Sequence, residues 1–584
     1  MKIFKNSSKR IIPGYLFKEK KALFGLAFFF LTGFLLRTLF LGNTFESADN
    51  AALADRIVHN RGYSWMVREY YGFMISFLVK LFAATVSFVG LNLTEFWWKL
   101  PVALVGSGQI ILSFLFLKKW FGSTRLALLG AAIVAWLPVH VEQSRYLWGY
   151  EVLATFFLTL FLWHWLSFFQ NPSSRSGFWA SLSFGLYLLS HGYFFPAFPA
   201  LFASLFFLPV RTREDERQDD WPRKSALRNL ASNLHNLIRY RVWLYPLLFS
   251  ALTAGAVNRA LQKKVRAGIY VTYLSDIVTN TGIFLFLFIL VALFVFFIKK
   301  QFLEPSFTWI FLLLALSYLG PLFLAAPPGV TVVRGYMTVG IYWLLVFALG
   351  VLFSAPGQKQ PFSPAINKAF KHSKGEGKID ARSKFWPGNP AASGKRGGLK
   401  PTCFTLIISL SLALTLWGTI ESVFFGDSLF DPSLARAGRG SPRFDPGTKA
   451  AGYLLTKYLS ADNYPPSSFP ILVLHRNIEP PNVSYYWRRE ALAFYDYSLE
   501  QTYKAYLSYK EKTALVIADP AQVSFVFSDG RFLPRVILYQ KGRPRLWIFI
   551  RRDFAFVPIP EIRDEVEALN QAFDRLFSWK VNFW

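Results

Sequence analysis

Residues 22–41 read ALFGLAFFFLTGFLLRTLFL and run directly into GNTFESADN at 42–50. Twenty consecutive residues with one charge, Arg37, are enough for a helix to cross the hydrocarbon of a bilayer at about 1.5 Å per residue. The run follows a basic tail, Lys2, Lys5, Lys9, Arg10, Lys18, Lys20 and Lys21. It is too long for a signal-peptide core and lacks a small-residue cleavage pattern. It therefore reads as a retained signal anchor with residues 1–21 in the cytoplasm, and the acidic stretch after it begins an outer loop.

The same pattern recurs along the chain. Of 584 residues, 53% are hydrophobic and 18% aromatic, more apolar surface than globular cores can hide. Further candidate spans are 100–117, 126–141, 152–169, 178–191, 195–210, 244–257, 283–298, 307–325, 337–353 and 403–424. With the first they make about eleven transmembrane helices. The net charge of +29 resembles a nucleic-acid footprint, but Lys and Arg sit in short loops between apolar runs. That is the signature of cytoplasmic loops, so nucleic acid is excluded as a partner. The single cysteine, Cys403, lies in an apolar run and offers neither a disulfide nor a thiolate metal site.

Residues 73–89 decide the topology. Counted as a span, they would place Lys118–Lys119, the loop 211–241, Lys299–Lys300 and the basic stretch 359–400 outside. Treated as a helix on the outer surface, with Lys80 inside it and Tyr70, Tyr71, Trp97 and Trp98 flanking, they place all of these inside. The positive-inside rule favours the second arrangement. The expected organisation is then a membrane module over 22–354 with its first outer loop at 42–99, a disordered basic linker at 355–402, and a last span at 403–424. A soluble α/β domain outside occupies 425–584, with a helix at 448–459 and strands at 470–474, 514–518 and 546–550.

Ionisable residues are costly in a bilayer, roughly 3 kcal/mol at its centre, so their placement is informative. They cluster at the outer ends of the spans: Glu46, Asp49, Asp55 and Arg56 after the first; His140, Glu142, Arg145 and Glu151 between the third and fourth; His191 closing the fifth; Arg334 and Tyr336 opening the tenth.

This series resembles the GT-C superfamily of membrane glycosyltransferases, particularly glycosyltransferase family 39, which includes protein O-mannosyltransferases and the lipid A aminoarabinose transferase. The resemblance is carried by Arg37 closing a span, Asp49-Asn50 in the place of an acidic pair, and Ala54 and Gly62 in the following helix. Leu100-Pro101 then opens a span that Lys118-Lys119-Trp120-Phe121-Gly122 closes. Pro138, Ser144-Arg145-Tyr146, Glu151 and Arg334 with Tyr336 follow. Two residues depart from the pattern: Asn50 replaces the second acid, and His191-Gly192 stands where Lys-Gly is usual.

The resemblance implies that Asp49 is the general base taking the proton of an acceptor hydroxyl. It implies a donor sugar carried on a polyprenyl phosphate, because the outer compartment holds no nucleotide sugars. The phosphate would be held by Arg334, His191 and Arg37, with Glu151, Arg145, Tyr336 and Glu142 binding substrate or supporting the site. The acceptor is a glycan, lipid or protein, membrane lipids surround the protein, and the location is the cell membrane. No cofactor and no metal ligand set is read from the residues, and a divalent metal stays open.

Each residue also has a plainer reading. Asp49 could cap the next helix, Glu151 could pair with Arg145, and Glu142 could be a solvated charge. Arg37 could snorkel to a headgroup, and His191 and Arg334 could be satisfied at the span ends. Two other functions compete, an oligosaccharyltransferase-like enzyme and a transporter or flippase. The first lacks a Trp-Trp-Asp-Tyr-Gly-like motif in the outer domain, where Tyr485-Tyr486-Trp487 is not one. The second predicts midplane charges and related halves, which the sequence does not display.

Overall fold

The computed structural model describes residues 20–41 (except 40), 53–54, 73–147 (except 92), 149–170, 172–190, 197–207, 226–249, 277–298 (except 279), 305–324, 330–353, 401–420, 471–475, 478, 483, 491–493, 498–519, 523–540, 543–554 and 579–583. Among them, helices α1 (Lys20–Thr38), α2 (Phe73–Phe88), α3 (Glu95–Phe121), α4 (Thr124–Trp136), α5 (Pro138–Gln143), α6 (Tyr150–Gln170), α7 (Ser174–Ser190) and α8 (Phe198–Phe207) precede α9 (Ala226–Arg239), α10 (Ile283–Ile298), α11 (Pro305–Leu324), α12 (Val330–Phe353) and α13 (Pro401–Ile420). Among the described residues four helical stretches, Lys20–Thr38, Glu95–Phe121, Tyr150–Phe169 and Tyr336–Phe353, are long and apolar enough to cross a membrane. Shorter apolar helices accompany them.

The bundle is built inside out. On α1, Leu26, Gly33, Leu36 and Arg37 are buried while Phe24, Leu31 and Leu35 are exposed. Lipid is as apolar as leucine, so what drives helices together is close packing and polar contact rather than removal of greasy surface. Both are visible at the centre. Phe311 of α11 stacks on Trp343 of α12 at 5.5 Å, with Phe116 of α3 edge-on to Trp343 at 5.7 Å. One layer away, Gln109 of α3 donates to Thr159 of α6 at 3.0 Å, and Ser113 shares a 3.1 Å hydrogen bond with Tyr342 of α12.

Helix α2 buries Ile75, Ser76, Val79, Ala83 and Val86 on one face against α3 and α7 and leaves Phe77, Leu81 and Phe88 exposed. The span expected at 126–141 is interrupted. Pro138 has no N–H to give to the carbonyl of Val134, so α4 ends at Trp136, Leu137 is extended, and α5 starts with Pro138 in its first turn. The loop 211–241 contains a helix that a search for continuous apolar runs misses. In α9, Leu227, Leu230, Leu234, Leu237 and Ile238 recur at helical spacing. Leu230 and Leu237 pack on the core, and Asn233 donates to the carbonyl of Leu205 on α8.

Toward the C-terminus a mixed six-stranded sheet has the order β2-β1-β3-β5-β4-β6. Its strands are β1 (Ile471–Leu474), β2 (Ala491–Ala493), β3 (Leu515–Ala518), β4 (Phe532–Gln540), β5 (Arg543–Arg551) and β6 (Trp579–Phe583). The first three are parallel, and the hairpin β4–β5 adds antiparallel to β3. Buried runs such as Leu515–Ala518 suit strands covered on both faces. Helices α14 (Leu499–Tyr509) and α15 (Ser524–Ser528) set Tyr506 and Val526 on this core. The helix expected at 448–459 and the linker 355–402, up to Pro401, lie outside the described residues.

Candidate functional site

Successive helices run in opposite directions, so the C-terminal ends of α1, α4 and α7 meet the N-terminal ends of α3, α6 and α12. At this one end the bundle buries Arg37, Glu95, Lys99, His140, Glu142, Arg145 and Glu151, all less than a tenth exposed.

Arg37 shows how such charges are tolerated. Its Nη1 donates to the carbonyls of Gly33 (2.8 Å) and Ala135 (3.1 Å). Nη2 donates to the carbonyl of Val134 (2.9 Å) and to His140 Nδ1 (2.9 Å), and Nε donates to Ser144 Oγ (3.2 Å). A guanidinium has five N–H groups, and all are used. The Val134 carbonyl is the one that Pro138 orphaned. The negative ends of the α1 and α4 dipoles thus hold the cation where no carboxylate does. Room for it comes from two glycines: a Cβ on Gly106 would lie 2.1 Å from Ser144 Oγ, and one on Gly33 would lie 2.4 Å from Ile110 Cδ1. With no N–H left over, Arg37 pins α1 to α4 and α5.

Arg145 also caps α1, donating through Nη1 to the carbonyls of Leu36 and Leu39, both at 2.8 Å. The sequence left open a pair between Arg145 and Glu151; no such ion pair forms. Glu142 instead accepts from Tyr146 at 3.2 Å. Glu151, 3% exposed in the first turn of α6, keeps Oε2 without a hydrogen-bond partner, as His140 Nε2 and Trp98 Nε1 are without one. Because Arg37 donates to Nδ1, the neutral His140 carries its proton on Nε2. Buried polar atoms left over in this way are what a substrate or water can satisfy.

Asp49 and His191 lie outside the described residues. The chain on either side of Asp49 is held: Leu41 is buried, and Leu53 and Ala54 belong to the main core. Arg334 lies near the start of α12, two residues before Tyr336, whose ring is 6.3 Å from that of Tyr318. His191 follows directly on the last residue of α7. Glu95 and Lys99 were not singled out from the sequence. Their signal was a charged pair four residues apart at the head of an apolar run, which reads equally as a solvated first turn.

No family model and no curated protein matches the chain. Solved structures do. One is the archaeal oligosaccharyltransferase AglB from Archaeoglobus fulgidus, in complex with an inhibitory peptide and a dolichol-phosphate. It matches over 93% of this chain and 75% of its own, at 14% identity and a TM-score of 0.50. Another is ArnT from Cupriavidus metallidurans bound to undecaprenyl phosphate, matched over 91% of this chain and 98% of its own at 13% identity and a TM-score of 0.49. At such identity the likeness to AglB is one of fold: the chain has the GT-C type of membrane fold that its sequence resembles.

Proposed function

We propose that this protein is a membrane glycosyltransferase that moves a sugar from a polyprenyl-phosphate donor to an acceptor hydroxyl on the extracytoplasmic side. The observation that carries the proposal is a GT-C fold shared along nine-tenths of the chain with a protein solved with dolichol-phosphate, its buried charges gathered at one end of the bundle. In the reaction the acceptor oxygen bonds to the anomeric carbon as the bond from that carbon to the phosphate oxygen breaks. The configuration inverts, the acceptor proton goes to Asp49, and the lipid leaves as its phosphate anion. Such a leaving group needs its charge stabilised rather than a proton, which is the task of Arg334 and His191. Glu151 Oε2 and His140 Nε2–H supply one acceptor and one donor for substrate hydroxyls. Arg37, Arg145 and Glu142 hold the wall. The helix at 73–88 lies on the outer surface, residues 1–21 face the cytoplasm, and residues 425–584 stand outside.

The fold shared with AglB also favours a second reading, transfer of a lipid-linked glycan to a peptide amide. Purified protein given a radiolabelled polyprenyl-phosphate sugar, with a membrane extract in one arm and a synthetic asparagine peptide in the other, tests both. Label passing into the extract alone supports the first reading and label on the peptide the second. Retention of all label on the donor contradicts both.

A further inference from the structure

Helix α9 lies across the end of the bundle away from the buried charges. Asn233 donates to the carbonyl of Leu205, just before α8 ends, at 2.6 Å. Farther along α9's line, the Tyr240 ring stands 5.8 Å from that of Phe168, just before α6 ends. A Cβ on Gly177, near the start of α7, would come 3.0 Å from Tyr240 Cβ. The ends of three helices thus share one level, and α9 runs along it instead of crossing the membrane. Arg241, at a φ of 52°, then turns the chain. Residues 244–249 are helical again and climb beside α7: the Tyr245 N–H donates to Ser181 Oγ at 3.1 Å, and Phe249 lies against Gly185.

With 3.6 residues per turn, α9 presents three faces. Leu230, Asn233 and Leu237 meet the bundle. Beside them Leu234 and Ile238 are exposed, Ile238 by 68%. Ser232, His235 and Arg239 make the third face. The exposed apolar row does not stop where α9 does, because Trp243, Leu244, Leu247 and Leu248 on the climbing segment are exposed as well. A helix entering a bilayer turns such a row to lipid, and the same row on α9 then sits where the acyl chains begin. Arginines surround it. Arg175, Arg239 and Arg241 are exposed, Arg239 Cζ is 5.6 Å from the Tyr240 ring centre, and Arg175 stands two residues before the Gly177 that Tyr240 packs on. Among the described residues of the bundle the carboxylates are Glu95, Glu142 and Glu151, all at the other end, so these arginines have no acidic neighbour there.

From this juxtaposition we infer that α9 and the start of α7 form a recognition surface for anionic phospholipid headgroups. Leu234 and Ile238 seat among the acyl chains, and Arg175, Arg239 and Arg241 meet the phosphates. The inference is independent of the transfer reaction proposed above. An apolar edge bordered by cations is what holds a helix in the plane of an anionic interface. Neither part suits water alone: a solvated helix has no use for an exposed isoleucine and leucine in line with lipid-facing residues. An arginine near an anionic headgroup layer strengthens association roughly fivefold, and three acting together distinguish an anionic lipid from a zwitterionic one.

The test has two arms, both on the full chain in phosphatidylcholine vesicles. In a Cys403→Ser background, a spin label at Ile238→Cys should be relaxed by oxygen, which dissolves in the acyl region, and one at His235→Cys by a water-soluble nickel chelate. Relaxation of the Ile238 label by nickel in place of oxygen overturns the inference, since the apolar edge would then stand in water and suit a protein partner. In the second arm, trace spin-labelled phosphatidylglycerol and phosphatidylcholine are compared at the protein boundary of the chain without spin labels. The preference for phosphatidylglycerol is expected to fall about threefold when Arg175→Gln, Arg239→Gln and Arg241→Gln are combined, and to persist when all three become lysine. It should also weaken as salt is raised. A preference that survives the glutamine variant, or that the lysine variant loses as fully, overturns the assignment of these three charges. So does a preference that appears only after Glu214, Asp215, Glu216, Asp219 and Asp220 are neutralised, because the chain's own acidic stretch would then be the partner of the arginines.

Discussion

The charged groups of the membrane bundle and those of the C-terminal sheet solve the same problem in opposite ways. At the bundle end, Arg37 is 0% exposed and held by three backbone carbonyls, a serine and a histidine, with no carboxylate among its partners. In the sheet domain, charges pair with charges near water: Arg531 with Glu511 and Asp529, Lys510 with Asp529, Arg551 with Asp553. Helix ends in a bilayer have orphan carbonyls that only the protein can satisfy, so a cation there is a structural cap. In water the carbonyls are solvated and the same cation is nearly free to choose, so its pairs are weak.

The largest effect expected from this contrast is at Arg37. Arg37→Met should destabilise the bundle by about 3 kcal/mol, because several carbonyls lose their donor at once. Arg37→Lys should restore only part, since an ammonium cannot reach acceptors spread around a planar fork. Unfolding in detergent measures this, and an unchanged midpoint for Arg37→Met would remove the cap. Next, Arg334→Ala should slow transfer roughly a hundredfold, with donor binding weakened and Arg334→Lys intermediate. If stability fell instead and kinetics did not, Arg334 would belong with Arg37 as a cap. Gly106→Ala comes third: Ser144 must move to admit the Cβ, at a cost of about 2 kcal/mol. A fully stable alanine variant would show that α3 does not press on the Arg37–Ser144 contact.

The smallest effect is on the sheet. Burial opposes ionisation of Asp529, but the Tyr506 hydroxyl, the Arg531 backbone N–H and Lys510 together hold its carboxyl below the ordinary carboxylate value. A carboxylate with a lowered folded value adds stability that is present above its unfolded value and lost as pH falls through the folded one. Asp529→Asn should therefore cost a fraction of a kcal/mol at neutral pH and little in acid. Chemical denaturation of the full chain at several pH values, followed on the sheet domain's own transition, checks it, and a loss that grows in acid would contradict it.

Much of this architecture was legible because the signals are one-dimensional. Apolar runs gave α1, α3, α6, α10, α11 and α13 close to their observed ends, and buried β-branched clusters gave β1, β3 and β5. Partners distant in sequence and adjacent in space were not legible. The role of Arg37 depends on a carbonyl orphaned by Pro138, about a hundred residues away, and on space left by Gly106. Glu95 and Lys99 look like a solvated turn until neighbouring helices cover them. Strand β2 is only three residues long, β6 interrupts its apolar residues with Lys580 and Asn582, and α9 announces itself by period rather than by run. The structure buries Arg37, His140, Glu142, Arg145 and Glu151 at one end of the bundle, and the hydrogen bonds of Arg37 and Arg145 could come only from coordinates.

The central claim is that Asp49 removes the acceptor proton while the lipid phosphate leaves. Asp49→Asn keeps the shape and the helix-capping ability of the residue and deletes only the basic carboxylate. Transfer of radiolabelled sugar from a polyprenyl-phosphate donor should then fall to background, while the variant folds as the parent does and binds undecaprenyl phosphate with the parent's affinity. An asparagine variant that transfers sugar at the parental rate would contradict the account, because a capping residue is indifferent to that substitution and a general base is not.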